Sequence, residues 1–294
     1  VTNTRYNGNI AVKKLTTGNG GDPDQEFNFS IQLNEANGTA IEEGQFTAEF
    51  LYSDKTEDNI VSAGNGKFTF TLKNGEVVVF NGLPNDATYI VTEEDADKNG
   101  YTSSIENDVT GIERPMKARA LEKPPVIVTG VNGENKDLWT HVFKNDRGAA
   151  SLSITKEFED GTPRTNGYEF TITLKDADGK DLAGSQWAQY TVENETGEIG
   201  NGKIDSLKNT ISLYPGETAT FPKLPTGTTY TVTEKQYDGY AATEKSEGMV
   251  TAEQDGETIE LTYLNKWKSG ALEVTKILGG PAAAGEEITF VITL

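Results

Sequence analysis

The chain has 294 residues, is 35% hydrophobic and 24% charged, and carries a formal net charge of −20. This length and composition predict about two domains with packed cores, whereas the negative charge disfavours binding to nucleic acid or to anionic lipid. Cysteine is absent, which excludes disulfides, thiolate nucleophiles and cysteine metal sites, and no apolar stretch approaches the roughly 20 residues of a membrane helix.

The first segment of the chain, residues 1–8, contains Asn3 within the sequence VTNT. Asn3 precedes Lys14 by 11 residues. The same interval separates two later pairs of an asparagine and a lysine: Asn145 and Lys156, and Asn265 and Lys276. We therefore interpret residues 1–8 as the last-strand remnant of a preceding repeat, and the chain as a window of a longer array.

The first complete repeat is expected over residues 9–147. It begins with the alternating strand IAVKK, which ends at Lys14, and continues through FNFSIQL to a hairpin dipeptide, Asn37-Gly38. The stretch LKNGEVVVFNGLPNDATYIVTE leads to Glu93, and an aromatic-x-Asn strand ends at Asn145.

An insertion is expected in this first repeat near residues 113–132. Glu93 and Asn145 are 52 residues apart, whereas the equivalent pair in the second repeat is 31 residues apart. The inserted sequence contains Pro124-Pro125, which breaks any helix. We therefore predict a surface excursion.

The second complete repeat is expected over residues 149–267. It shows the same elements in the same order: LSITK to Lys156, YEFTITL, Asp178-Gly179, LYPGETATFPKLPTGTTYTVTE to Glu234, and a last strand to Asn265. After it, LEVTK and ITFVITL predict the first strands of a truncated third repeat over 268–294. Linkers of a few residues favour a stiff rod over loosely tethered domains.

The predicted fold class is all-β, with tandem sandwich domains. Short strands with period-two alternation, frequent glycine and asparagine turns and the absence of a 3.6-residue period support this prediction. Successive side chains on a strand point to opposite faces. On that register six residues point into the two cores, whereas Lys13 points outward: Lys14, Glu93 and Asn145, and Lys156, Glu234 and Asn265.

These six residues form two triads at matched spacing, with 79 residues from Lys14 to Glu93 and 78 from Lys156 to Glu234. Burial drives a lysine and a glutamic acid toward their neutral forms. A neutral lysine amine is a nucleophile, and a protonated glutamic acid can polarise a carboxamide and pass a proton to departing ammonia. The triads therefore predict one lysine–asparagine amide bond in each repeat. The simpler alternative is a buried lysine–glutamate ion pair with a structural asparagine.

The motifs SITK, LPTGTTYTVTE and TYLN carry a resemblance that covers nearly the whole chain. The chain resembles the B-type repeats of Gram-positive collagen adhesins and the related domains of sortase-assembled pilins. The resemblance implies immunoglobulin-like (Cna-B-type) sandwiches of inverse topology. It also implies isopeptide bonds from Lys14 to Asn145 and from Lys156 to Asn265, promoted by Glu93 and Glu234. The equivalents in the truncated repeats are Asn3 and Lys276, and Lys276 is expected to stay unreacted. We find neither a sorting signal nor a pilin-type lysine motif.

Other sequence patterns have structural explanations that we favour. Asp95, Asp97, Asn99, Gly100 and Glu106 match the spacing of a calcium-binding loop, but a β-turn explains the glycine more simply. The single histidine, His141, lies on the predicted last strand and is expected to be structural. Trp187 and Tyr190 could stack on a sugar, although packing is the better explanation, and Trp267 is expected to pack between domains.

The predicted function is a structural stalk segment of a cell-surface adhesin or pilus. The alternative is an adhesive module that recognises a host protein or glycan. The expected location is extracellular, on the cell wall of a Gram-positive bacterium. Expected partners are neighbouring repeats of the same array and a possible host or cell-surface ligand, without nucleic acid or membrane insertion. No cofactor and no metal are predicted, and no enzymatic activity beyond single-turnover self-crosslinking.

Overall fold

The computed structural model describes residues 7–84, 86–108, 126–131, 139–159, 167–242, 245–268, 270–277, 287 and 289–293. The strands of the first unit, residues 7–146, are β1 (Asn7–Thr17), β2 (Phe27–Asn34), β3 (Thr47–Leu51), β4 (Val61–Gly64), β5 (Lys67–Leu72), β6 (Val77–Pro84), β7 (Thr88–Glu93), β8 (Thr102–Asp108), β9 (Val126–Val131) and β10 (Trp139–Asp146). The strands of the second unit, residues 149–267, are β11 (Ala149–Phe158), β12 (Tyr168–Lys175), β13 (Gln189–Asn194), β14 (Gly197–Lys203), β15 (Thr210–Leu213), β16 (Thr218–Pro225), β17 (Thr229–Glu234), β18 (Tyr240–Ala241), β19 (Lys245–Met249) and β20 (Thr258–Trp267). Short 3₁₀ helices cover Glu57–Asn59, Gln186–Ala188 and Ala252–Gln254.

The first unit is a sandwich of two five-stranded sheets, with strand orders β3-β6-β1-β10-β8 and β4-β5-β2-β7-β9. Its first strand, β1, and its last strand, β10, are parallel neighbours, and β1 pairs with β6 on its other side in the antiparallel sense. The inward-facing apolar residues of both sheets form one core, in which Phe29, Phe80 and Phe143 are at most 1% exposed.

The second unit repeats this design with a six-stranded sheet, β14-β13-β16-β11-β20-β18, and a four-stranded sheet, β15-β12-β17-β19. Its first and last strands, β11 and β20, are again parallel neighbours. A separate apolar core lies between the two sheets. The prediction of tandem all-β sandwiches is therefore confirmed. Among the described residues, no helix has the length and apolarity needed to cross a membrane.

The two predicted hairpin dipeptides form turns at equivalent places, after β2 and after β12. Gly38 has a φ of +86° and Gly179 a φ of +81°, a backbone conformation that glycine adopts without a steric cost. Each turn is followed by an isolated bridge back to the preceding strand, Asn34 to Ala40 and Lys175 to Asp181.

One part of the expected insertion belongs to the sandwich. Residues 126–131 form β9, which pairs with β7 in the antiparallel sense, as β19 pairs with β17 in the second unit. The free edge of β7 offers backbone hydrogen-bonding groups, and the β-branched sequence VIV suits a strand. The prediction of a surface excursion is therefore wrong for these six residues. Residues 113–125 and 132 lie outside the described residues.

The chain beyond Trp267 differs from the prediction. Residues 270–277 contain no strand, and Leu272 and Ile277 are 66% and 82% exposed. In both units the first strand lies between two neighbours, and the described residues supply no such neighbours for LEVTK. Trp267 is 50% exposed and packs on Tyr240, with ring centres 4.4 Å apart; its packing between domains stays a prediction.

Candidate functional site

The lysine and the asparagine of each triad lie on neighbouring parallel strands of one sheet. Lys14 pairs with Phe143, so Asn145 lies two residues further along β10 on the same face. The second unit has the same register, because Lys156 pairs with Tyr263 and Asn265 lies two residues further along β20. In both units the lysine and the asparagine therefore point into the core from nearby positions on adjacent strands.

The glutamate of each triad comes from the opposite sheet of the sandwich. Glu93 ends β7 and pairs with Phe29 of β2, while Glu234 ends β17 and pairs with Phe170 of β12. Strand alternation points both carboxyl groups inward, toward the sheet that carries the lysine and the asparagine. Each triad therefore spans the core from one sheet to the other.

In the first unit one carboxyl oxygen contacts both other members of the triad. Lys14 Nζ lies 2.6 Å from Glu93 Oε1, and Asn145 Nδ2 donates to the same oxygen at 2.8 Å. All three residues are 0% exposed. The lysine nitrogen also lies 4.0 Å from the centre of the Phe27 ring.

The second unit repeats this arrangement with one additional contact. Lys156 Nζ lies 3.1 Å from Glu234 Oε1, and Asn265 Nδ2 donates to that oxygen at 2.9 Å. The lysine nitrogen also donates to the backbone oxygen of Tyr263 at 3.1 Å and lies 4.5 Å from the centre of the Tyr168 ring. No member of the triad is more than 1% exposed.

Burial shifts the acid and the base of each triad toward their uncharged forms. It lowers the pKa of Lys14 to about 8 and raises the pKa of Glu93 above its ordinary value, although the attraction between the two groups opposes both shifts. For the same reason the pKa of Lys156 is lowered and the pKa of Glu234 is raised. Transfer of one proton from the amine to the carboxylate gives two neutral groups, which is the pair that an amine nucleophile and an acid catalyst require.

Two buried oxygens in each triad have no hydrogen-bond partner: Glu93 Oε2 and Asn145 Oδ1, and Glu234 Oε2 and Asn265 Oδ1. A proton on the carboxyl group supplies the missing donor. If the carboxamide rotates by half a turn, its oxygen takes the place of Nδ2 beside the glutamate and can accept that proton's hydrogen bond. This arrangement polarises the carbonyl group that the lysine would attack.

The remaining predicted positions fall outside the triads. Asn3 lies outside the described residues. Lys276 is exposed in the segment without strands, and Lys13 is partly exposed on the outer face of β1. The structure therefore brings six of the eight predicted site residues together, three in each core.

Sequence reasoning missed the aromatic ring that lies beside each lysine. Phe27 and Tyr168 occupy the same position, the first residue of the second strand in each unit. The shared pattern of FNF and YEF was visible in the sequence, but strand alternation alone does not distinguish a ring beside the lysine from any other core aromatic residue.

The carboxylates of the calcium-like sequence have protein partners. Asp95 accepts hydrogen bonds from the backbone nitrogen of Asn28 and from Lys98 Nζ, both at 2.7 Å, and Asp97 accepts one from the backbone nitrogen of Ser103 at 2.6 Å. Within the part of the chain that the structure describes, no group of three or more histidine, cysteine, aspartate or glutamate residues could hold a metal ion.

His141 is buried in the first core, 1% exposed, with its Nε2 atom 2.8 Å from the hydroxyl of Tyr89. Burial lowers its pKa to about 4, so the imidazole is neutral at physiological pH. Trp187 is partly buried and packs against the second core, which leaves packing as its main role.

A family model described as a domain of unknown function, DUF7601, matches residues 8–121 and 150–267. The chain therefore belongs to this family and contains two copies of its domain.

Two curated relatives come from Streptococcus pyogenes. The pilus tip adhesin Cpa is 36% identical over 87 residues, which is 30% of this chain and 12% of the adhesin. A pilin of serotype M1 is 29% identical over 97 residues, which is 33% of this chain and 28% of the pilin. The chain thus matches only a minor part of either relative.

Among solved structures, the major pilin of Streptococcus pyogenes aligns over 90% of this chain and 99% of its own, with 19% identity and a TM-score of 0.48. The predicted resemblance to the repeats of Gram-positive adhesins and pilins is confirmed by the two curated relatives.

Proposed function

We propose that this chain is a stalk segment of a Gram-positive cell-surface adhesin or pilus, and that a self-formed isopeptide bond closes each of its two sandwiches. One observation carries the proposal. In both cores, which differ in sequence, a single buried glutamate oxygen contacts a lysine amine and an asparagine amide at 2.6–3.1 Å. A buried lysine–glutamate ion pair with a structural asparagine would not need the asparagine to share the glutamate oxygen with the lysine. It would also not need the same strand register in both units.

The proposed reaction joins Lys14 to Asn145 and Lys156 to Asn265. The neutral amine attacks the carboxamide carbon, a bond forms between lysine Nζ and asparagine Cγ, and the bond from Cγ to Nδ2 breaks. Glu93 or Glu234 donates a hydrogen bond to the carbonyl oxygen and then carries a proton from the amine to the leaving nitrogen. One ammonia leaves for each bond formed, and the fixed geometry of the core supplies much of the acceleration.

Such bonds would determine how tension passes through each unit. A pulling force on the first unit enters along β1, crosses from Lys14 to Asn145 at the ends of the first and last strands, and leaves through the linker. The residues between these two positions then bear no load. An amide bond also resists reduction, which suits a cysteine-free chain outside the cell.

The family matches support two complete domains, which we propose to extend over 9–147 and 149–267, with residues 1–8 and 268–294 belonging to neighbouring repeats. Those repeats, or further subunits of a pilus, are the proposed partners. The names of the two relatives, a pilin and a pilus tip adhesin, describe structural surface proteins, in agreement with the prediction that the chain is not an enzyme. They also support the proposed extracellular location on the cell surface. Attachment to the cell wall is a further part of the proposal.

The alternative, an adhesive module for a host protein or glycan, draws support from the name of the adhesin relative alone. Saturable binding of the purified chain to extracellular-matrix proteins or to an array of glycans would favour this alternative. A stalk segment should show no saturable binding in the same assay.

The intact mass of the purified protein tests the proposed bonds. We expect a mass lower than the sequence mass by two ammonia molecules, one for each triad. Glu93→Gln and Glu234→Gln keep the shape of the carboxyl group but cannot carry the proton. In each variant one bond should therefore fail to form, and the measured mass should be lower than the sequence mass by only one ammonia.

Lys14→Ala and Lys13→Ala form a matched pair of neighbouring lysines. Lys14→Ala should lose only one ammonia relative to its sequence mass. Lys13→Ala changes a residue on the outer face of the same strand and should still lose two. An unshifted mass of the unmodified chain would exclude the proposed bonds and leave the buried ion pairs as the correct explanation.

A further inference from the structure

The two units are joined by only two residues, Arg147 and Gly148, between the end of β10 and the start of β11. Arg147 is 6% exposed, which is unusual for a linker arginine. On the side of the first unit, Arg147 Nε donates to the backbone oxygen of Gly20 at 2.5 Å and Nη1 donates to that of Asn99 at 3.1 Å. The guanidinium carbon lies 4.3 Å from the centre of the Tyr101 ring. The side chain is thus fixed against two loops of the first unit.

A ring of the second unit also lies near this guanidinium group. Its carbon atom lies 5.8 Å from the centre of the Trp187 ring. The next linker residue, Gly148, accepts a hydrogen bond from the backbone nitrogen of Thr226 at 2.9 Å. Both linker residues therefore contact the units that they join.

The backbones of the two units also touch directly. Gly100, in the first unit, has a φ of +76°, and a Cβ atom added to it would lie 2.1 Å from the backbone oxygen of Thr226, in the second unit. A side chain at this position would therefore force the units apart.

Carboxylates of both units favour the positive charge at the junction. A cleft of about 510 Å³ beside Arg147 is lined by Asp22 of the first unit and by Asp176, Asp178 and Asp181 of the second. Burial lowers the pKa of Arg147, while the charges of Asp22 and Asp176 oppose that shift, and the guanidinium stays protonated at neutral pH. Attraction therefore acts on the same group from both units.

The position equivalent to Arg147 in the second unit is Trp267. Trp267 lies two residues after Asn265, as Arg147 lies two residues after Asn145, and it packs on Tyr240 as Arg147 packs on Tyr101. Trp267 is nevertheless 50% exposed, against 6% for Arg147. Of these two equivalent positions, the one that contacts both units is thus the more buried.

We propose that Arg147 fixes the angle between the two units, so that they move as one rigid body. The short linker alone limits only how far apart the units can be; the angle depends on the guanidinium group and on the close backbone approach at Gly100. This inference concerns the junction and holds whether or not the isopeptide bonds form.

Residual dipolar couplings of backbone amides test the proposal, because units that move together share one alignment tensor. Arg147→Met keeps the length of the side chain but removes its charge and its donors. Lys144→Met, on the neighbouring partly exposed position of β10, is the matched control. The wild type and Lys144→Met should each show one common tensor. Arg147→Met should show two tensors of different magnitude. A single wild-type tensor in Arg147→Met would overturn the proposal.

A glycine pair supplies an independent test. Gly100→Ala and Gly75→Ala both place alanine at a positive φ, +76° and +82°, but nothing lies within 4 Å of a Cβ at Gly75. Both variants should lose similar local stability, and only Gly100→Ala should change the relative orientation of the units. Equal orientations in the two variants would contradict the proposed contact. Intact mass, measured on the same samples, reports the isopeptide bonds separately from the junction.

Discussion

The two cores hold the same three residue types at the same register but surround them differently. In the first core the lysine lies beside the Phe27 ring and pairs with Phe143, whereas in the second the corresponding residues are Tyr168 and Tyr263. The residues that pair with the lysine and with the glutamate of each triad form an edge-to-face ring pair, and this pair has the same geometry in both cores. Phe29 and Phe143 are 5.2 Å apart at 82°, and Phe170 and Tyr263 are 5.0 Å apart at 80°.

Each core also has a second polar link between its sheets, and the chemistry of this link differs. The first unit joins Tyr89 to His141 at 2.8 Å. The second unit joins the hydroxyl of Tyr263 to the backbone oxygen of Val232, also at 2.8 Å. The register of the first and last strands therefore positions the triad, while the neighbouring polar contact can change. The two units should also respond differently to pH, because only the contact in the first unit contains a histidine.

Removal of the asparagines should have the largest effect and should be similar in the two units. The proposed bonds close rings of 131 residues (145 − 14) and 109 residues (265 − 156). By the chain-entropy estimate used for disulfides, each ring contributes on the order of 5 kcal/mol to the free energy of unfolding. Asn145→Ala and Asn265→Ala should each destabilise their own unit by about this amount, as measured by calorimetry.

Asn145→Ala leaves Lys14 and Glu93 in place, so its effect reports the bond rather than the ion pair. Asn201→Ala, on an exposed edge strand, should change neither transition. If only one of the two asparagine variants loses stability, the bond forms in only one unit. The shared strand register would then be insufficient for the reaction.

Acid should destabilise the first unit more than the second. The folded state holds His141 at a pKa of about 4, whereas the ordinary value is 6.5. The unfolded chain therefore binds more protons between these pH values, and the free energy of unfolding falls as the pH decreases through this window. The loss amounts to roughly 3 kcal/mol near pH 4. The second unit has no histidine.

His141→Gln should remove this pH dependence while keeping a polar partner for the Tyr89 hydroxyl. Denaturant unfolding of the two units, followed by separate NMR resonances between pH 6.5 and 4, measures the difference. If the wild type and His141→Gln lose stability equally over this range, the histidine does not account for the acid response.

Strand alternation predicted the inward direction of all six triad residues, because period-two patterns determine faces wherever one side of a sheet is buried. Residues such as Ile10, Val12 and Lys14 share a face, and one register places all of them. The same reasoning failed for 126–131, because the pairing of β9 with the edge of β7 depends on a distant strand. It could not identify Arg147 either, since a linker has no periodic pattern and its contacts come from loops of both units.

The smallest expected effect on stability comes from replacing Tyr263 of the second core with phenylalanine, the residue at the equivalent position of the first core, Phe143. Tyr263→Phe removes the hydroxyl that donates to the oxygen of Val232, which should cost about 1 kcal/mol of stability in the second unit. The mass should still show the loss of two ammonia molecules, because Phe143 occupies this position beside the first triad. Tyr214→Phe, at a ring that is 43% exposed, is the control for removal of a hydroxyl and should leave the stability unchanged. A retained ammonia in Tyr263→Phe would mean that the hydroxyl takes part in positioning the second triad, and that the two cores reach the same bond by different routes.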